Sequence, residues 1–305
     1  MTRAVTVPPE REGHPAPGDI AGRRAAMAQA LAGGTWATDP PPEEATCGGV
    51  RVLRWLPDCP VRGRVIHFHG GGYRMGCPEM EGPYALALAR SCGVEVIAPQ
   101  YRLAPEAPFP AAPNDALAVF RSLPRDLPLI LSGGSAGGGV AAALAVLACA
   151  QGAAPDGVVL HSPWLDQTVS APSFDVNAAS DPLFSREAAE LAARLYLQGH
   201  DPRDPVASPL LANLADWPPT LVSVGTGEVL RDDAERFSKA LAGAGGDCRL
   251  MVIAGMDHVA VTRDMAATGA AETFAATVEF IEALLPSRAF QTARGSSRHP
   301  GSSPG

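Results

Sequence analysis

The chain of 305 residues is 46% hydrophobic and 18% charged, the profile of a soluble globular protein that buries roughly three quarters of its unfolded surface. A formal net charge of −8, with no run of Lys or Arg, excludes the basic footprint of a nucleic-acid or anionic-membrane binder. The longest apolar run, Val140 to Ala150, is too short to span a bilayer, and the N-terminus has no apolar core for a signal peptide. Six cysteines without a CxxC pair read as free thiols in a reducing, cytoplasmic setting.

Residues 1–18 and the tail 287–305 are rich in Pro, Gly and Ser and lack apolar periodicity, so both ends are expected to be disordered. Between them one domain is expected over 19–286. A helix is predicted near Ala21 to Leu31. Short β-branched runs then alternate with alanine-rich ones: "GRVIHFHG", "VEVIAPQY", "LPLILSG", "GVVLHSP", "TLVSVGT" and "CRLMVIAG" read as strands. Tyr84 to Cys92, Asn114 to Ser122, Ala136 to Gln151, Leu230 to Ala244 and Thr268 to Leu285 read as helices. Strands this apolar, separated by helices, indicate a mostly parallel sheet covered on both faces. From Leu165 to about Leu214 no strand is evident, and a helix near Ser185 to Gln198 sits in what reads as an insertion. Together with residues 19–45 it is expected to form a small helical cap over the carboxyl ends of the strands, where open α/β sheets bind ligands.

The stretch "LILSGGSAGGGVAAALA" (Leu129 to Ala145) crowds five glycines around Ser135 between a predicted strand and a predicted helix. Each glycine in a helix costs roughly 1 kcal/mol relative to alanine, so the cluster implies a sharp turn or a close approach. Gly133, Ser135 and Gly137 form GxSxG in the strand–turn–helix setting of a nucleophile elbow. A purely structural turn is the bland alternative. A dinucleotide fingerprint is the rival, since Gly137, Gly139 and Ala142 satisfy GxGxxA and Asp156 lies near a ribose-contact distance, but that fingerprint falls inside the helix. His67 and His69 could ligate a metal, yet no third ligand is suitably spaced, so no metal is expected.

Upstream, "HFHGGGYRMG" (His67 to Gly76) follows a strand where an oxyanion-donating loop belongs. With "YRLAPEAPFPAAPND" (Tyr101 to Asp115), the GxSAGG run and "GMDHVA" (Gly255 to Ala260), it resembles the hormone-sensitive-lipase family of α/β-hydrolases over residues 50–285. "SPWLD" (Ser162 to Asp166) and "GEVLRDD" (Gly227 to Asp233) are most similar to bacterial carboxylesterases and monoterpene-lactone hydrolases.

That resemblance implies an α/β-hydrolase fold and a serine carboxylesterase acting on short- to medium-chain esters or lactones without a cofactor. Ser135 is the expected nucleophile, His258 its base and Glu228 the orienting carboxylate, where many relatives carry aspartate; Asp232 remains the competing choice. The resemblance puts the oxyanion hole at the N–H groups of Gly71, Gly72 and Ala136, with His69 fixing the loop. Gly134 departs from the aspartate of GDSAG, and Tyr101 and Arg102 are expected to buttress the site. Trp36, Tyr73, Met75, Leu183 and Phe184 are apolar candidates for the substrate pocket. A small-molecule ester is the expected partner, with no nucleic acid and no membrane, and a homodimer stays open because family members are often dimers. Amide deacylation, acyl transfer, lyase or cyclase chemistry and a catalytically silent binding protein stay open as alternatives.

Overall fold

The computed structural model describes residues 19–287, so the expectations for the two ends lie outside the described residues. An eight-stranded sheet runs in the order β1-β2-β4-β3-β5-β6-β7-β8. Its strands are β1 (Glu43–Cys47), β2 (Val50–Trp55), β3 (Gly63–Phe68), β4 (Val94–Pro99), β5 (Leu129–Gly134), β6 (Gly157–His161), β7 (Thr220–Gly225) and β8 (Cys248–Ile253). β3 to β8 are parallel, whereas β1 and β2 form an antiparallel hairpin on β4. The six expected strands are present; the hairpin is an addition, and its first strand takes up residues at the end of the expected N-terminal cap segment. Charge masks β1, whose Glu43 and Glu44 point to solvent, but Gly48-Gly49 between two strands is the signal of a tight hairpin turn.

The α-helices of the described residues are α1 (Ile20–Ala32), α2 (Gly82–Cys92), α3 (Ala111–Ser122), α4 (Ala136–Cys149), α5 (Ser173–Val176), α6 (Arg186–Leu197), α7 (Arg231–Gly243), α8 (Ala260–Arg263) and α9 (Ala270–Leu284). α5 and α8, four residues each, are too short to leave a periodic pattern. One core lies on the α3–α4 side of the sheet, where Val140, Leu144, Leu131 and Leu160 are fully buried. The other packs Leu88, Val96, Ile130 and Ile281 beneath α2 and α9. No described helix is long and apolar enough to cross a membrane.

The topology dictates where a ligand can sit. From β3 the chain moves outward to β4, then returns to place β5 on the other side of β3, so the strand order reverses between β3 and β5. The loops leaving two such strands diverge and open a crevice at their carboxyl ends. Phe68 pairs with Gly133, so the HGGG loop and Ser135 emerge side by side from that switch point.

α6 carries its buried residues, Ala188, Ala189, Ala192, Ala193, Tyr196 and Leu197, at helical spacing along one stripe. Ser185 caps its start by accepting the Ala188 N–H at 3.2 Å. The stripe lies over the HGGG loop: Tyr196 stacks on Tyr73 with ring centroids 4.0 Å apart. α1, by contrast, buries none of its residues. Arg24 ties it down, donating to the carbonyls of Arg74 (2.8 Å) and Ala104 (2.9 Å) and pairing with Glu106 at 2.7 Å.

Candidate active site

Ser135 ends β5 and begins α4 at φ 55, ψ −122, a conformation that a non-glycine residue holds only under constraint. Its N–H donates to His161 O at 2.9 Å, and its carbonyl accepts from Trp164 and Gly139. Those bonds fix the elbow, and close approach explains the glycines around it. A Cβ on Gly137 would lie 2.0 Å from Phe68 O, inside the backbone of β3. The rival fingerprint fails on the same geometry: Gly137, Gly139 and Ala142 lie within α4, and Asp156 is occupied by the Leu129 N–H at 2.7 Å.

His258 Nε2 lies 2.9 Å from Ser135 Oγ, and its Nδ1 lies 2.7 Å from Glu228 Oε2. A carboxylate only accepts, so Nδ1 carries the proton and Nε2 is left to accept from the serine hydroxyl. The three residues come from the loops after β5, β7 and β8. Burial opposes charge on His258 most strongly, yet the hydrogen bond and charge of Glu228, joined by Asp181, outweigh it and hold the imidazole above its ordinary pKa. Asp232 plays no part in this chain: it accepts from Ser173 N at 2.8 Å and pairs with Arg231. Asp257 is exposed on the turn before His258.

Three residues that position this chain escaped the sequence reading. Ser162, next to the elbow at φ 44, donates to Glu228 Oε1 at 2.8 Å and accepts the Val259 N–H at 3.0 Å. It therefore bridges the acid loop and the histidine loop. Gly225 N also donates to Glu228 Oε1. Asp181, 2% exposed, accepts from Leu183 N, Phe184 N and Val229 N, all at 2.9–3.0 Å, and so joins the 165–214 segment to the turn bearing Glu228. Asn177 and Ser180 reinforce that join through the carbonyls of Thr226, Glu228 and Gly227. Only "SDPL", an Asp before Pro in a strand-free region, hinted at such a turn.

Gly71 and Gly72 adopt φ 115 and φ 61, and the Gly71 carbonyl accepts from Arg74 and Met75 within the loop. Their N–H groups have no acceptor among the described residues. The Ala136 N–H, at the first turn of α4, lies outside the intrahelical ladder. His69 donates to Gly70 O at 2.7 Å and stacks on Tyr101, whose hydroxyl donates to His69 O at 2.7 Å. Burial lowers the His69 pKa, which favours the neutral ring. Arg102 grips Asp115 through both carboxylate oxygens.

The apolar pocket candidates divide. Phe184 lies parallel to His258 with centroids 6.0 Å apart and edge-on to Trp164, placing it beside the imidazole. Leu183 is its half-buried neighbour, and Met75 is half-buried behind Gly71. Tyr73 is 2% exposed and belongs to the core, not to an open pocket wall: its hydroxyl finds partners in Gln167 (3.2 Å) and Trp164 O (3.4 Å) only by turning inward. Trp36 is set against the start of α2, its carbonyl beside Gly82. Ser135 and His258 are 7% and 9% exposed, so the site is nearly covered.

A family model described as alpha/beta hydrolase fold matches residues 65–262. The chain is 37% identical over 211 residues to an acetyl-hydrolase of Streptomyces hygroscopicus, covering 67% of this chain and 71% of that protein. It is 33% identical to an ethyl acetate hydrolase of Pseudomonas putida, covering 68% and 70%. A solved esterase from the bacterial hormone-sensitive lipase family superposes with a TM-score of 0.82 at 32% identity, over 89% of this chain and 93% of that one. The chain belongs to the α/β-hydrolase fold family, in its hormone-sensitive-lipase group.

Proposed function

We propose that this carboxylic ester hydrolase is a serine esterase for short- to medium-chain acyl esters, working through an acyl-enzyme. The observation that carries the reading is the hydrogen-bonded chain from Ser135 through His258 to a buried Glu228. Ser135 Oγ attacks the acyl carbon while His258 Nε2 takes its proton. The positive charge that develops on the imidazole faces Glu228, whose two oxygens are held by Ser162, Gly225 and His258 itself. The oxyanion is received by the N–H groups of Gly71, Gly72 and Ala136, each such donor contributing about 3 kcal/mol to the transition state. His258 then protonates the leaving alcohol, and water releases the acid by the same steps in reverse. α1 and residues 165–214 act as a cap that opens to admit substrate. The names of the two bacterial relatives, an acetyl-hydrolase and an ethyl acetate hydrolase, support small acyl groups.

The test is a series of p-nitrophenyl esters from acetyl to palmitoyl. Turnover that is highest for chains of two to about eight carbons supports the reading; a maximum at palmitoyl, or no turnover of any ester, contradicts it.

A further inference from the structure

Arg74 follows the HGGG loop by two residues and is 2% exposed, among the largest side chains that the fold hides. Its Nε and Nη1 are buried without a hydrogen-bond partner, and no carboxylate pairs with it among the described residues. Arginine is almost never fully buried unless paired, because the desolvation of its charge is then uncompensated. Arg23, from the overlying α1, adds a second guanidinium with no ion pair among the described residues. The carboxylate that could have served, Glu106, is engaged by Arg24.

The place of this charge is informative. The position that a Cβ would take on Gly72 lies 3.6 Å from both Nε and Nη2 of Arg74 and 3.9 Å from Ala192 of α6. On the other side of the same loop, the corresponding position on Gly70 lies 3.5 Å from Ser135 Cβ. The guanidinium therefore lies beside Gly72 in the loop that borders the nucleophile, with Ala192 of α6 near the same glycine and Arg24 of α1 bonded to the Arg74 carbonyl. Burial and the nearby Arg23 both lower its pKa, the signature of a cation that lacks an anion.

We propose that Arg74 is a specificity-determining residue that receives a carboxylate carried by the substrate, so that the preferred ester is anionic. The inference rests on the esterase reading for its reaction and adds the substrate class. The guanidinium has two edges with parallel donors, Nε with Nη2 and Nη1 with Nη2, and no protein acceptor engages either among the described residues, so one edge matches a carboxylate through two parallel charge-assisted hydrogen bonds. A neutral ester of equal size leaves those donors unpaired, so it binds less well. α1, held by Arg24 and contributing Arg23, closes over the charged end of the substrate.

The experiment compares matched pairs. Mono-p-nitrophenyl glutarate against p-nitrophenyl pentanoate puts the charge on the acyl side; 4-(butyryloxy)benzoate against phenyl butyrate puts it on the alcohol side. In the wild type, kcat/KM favours the anionic member of at least one pair by about 10-fold or more, mainly through KM. In Arg74→Met that anionic-to-neutral ratio falls about 10- to 100-fold, and Arg74→Lys keeps part of it. Glutarate at millimolar concentration raises the Tm of the wild type more than that of Arg74→Met, a readout independent of turnover. Wild-type ratios at or below one in both pairs, a ratio unchanged in Arg74→Met, or no glutarate shift in the wild type overturns the proposal, and the two wild-type measurements decide if Arg74→Met does not fold. Failure of the esterase reading looks different: no ester of either charge is turned over.

Discussion

Gly134 and Val259 share a space that holds one side chain. A Cβ on Gly134 would meet Val259 Cγ1 at 2.5 Å, and Val259 directly follows His258 while its N–H is held by Ser162. Val259 fills the space that a side chain at position 134 would need. Gly134→Ala is expected to destabilise the protein by about 1–3 kcal/mol in denaturant melts, and adding Val259→Ala should restore much of it. A non-additive double mutant is the signature; additive losses contradict the account. Glu228→Gln keeps the size of the side chain but removes its charge, so kcat should fall about 10³- to 10⁴-fold, whereas Asp232→Asn should change it less than about threefold. The raised pKa of His258 means that wild-type kcat/KM rises with pH through a value above that of a free imidazole, because the base must be neutral to act. Removing the Glu228 charge lowers that pKa, so the acid limb of the residual activity should move to lower pH. The hydrogen-bonded arrangement of Ser135 and His258 could be anticipated from local patterns, a GxSxG turn after a strand and a histidine after the last strand, and that of Glu228 from the family resemblance. The roles of Ser162 and Asp181 could not, because they exist only when loops from different strands meet.

At the scale of elements, apolar β-branched runs announced β3 to β8, whereas β1 and β2 form an edge hairpin exposed enough to alternate with charge. Helix boundaries shifted at Pro and Gly: α2 starts at Gly82 ahead of Pro83, and α3 at Ala111 with Pro113 in its first turn, where a missing N–H costs nothing. Substrate-pocket residues were the least legible, since Tyr73 and Phe184 are both aromatic and only packing against Tyr196 or His258 separates core from site. Helices α1 and α6 differ in their attachment. α6 buries a stripe of six residues; α1 buries none and depends on Arg24. Arg24→Ala should leave the Tm within about 2 °C, given how little an exposed ion pair contributes, yet expose α1 to trypsin at Arg23. An α1 as resistant to cleavage as in the wild type would contradict a helix held by that arginine.

Across the whole molecule, the 165–214 segment is joined to α7 at Asp233, a fully buried carboxylate that accepts the N–H groups of Leu165 and Asp166 where the segment begins. Burial foremost, with the neighbouring Asp166 charge, pushes its pKa up to about 7 against the backbone bonds and Arg236. A carboxyl raised in the fold contributes its stability fully below about pH 4 and loses it as pH climbs through about 7. Asp233→Asn keeps an accepting oxygen but cannot ionise, so its Tm should gain on the wild type by several degrees between pH 4 and 8; a constant difference would contradict a buried titrating acid. The proposed mechanism turns on a serine activated by His258 and Glu228. The most direct measurement treats wild type and Ser135→Ala with a fluorophosphonate and follows p-nitrophenyl butyrate hydrolysis in both. Covalent labelling of Ser135 and turnover are expected in the wild type, with neither label nor more than about 10⁻⁴ of the activity in Ser135→Ala. Turnover that persists in the mutant, or a wild type that hydrolyses the ester while Ser135 stays unlabelled, would contradict it.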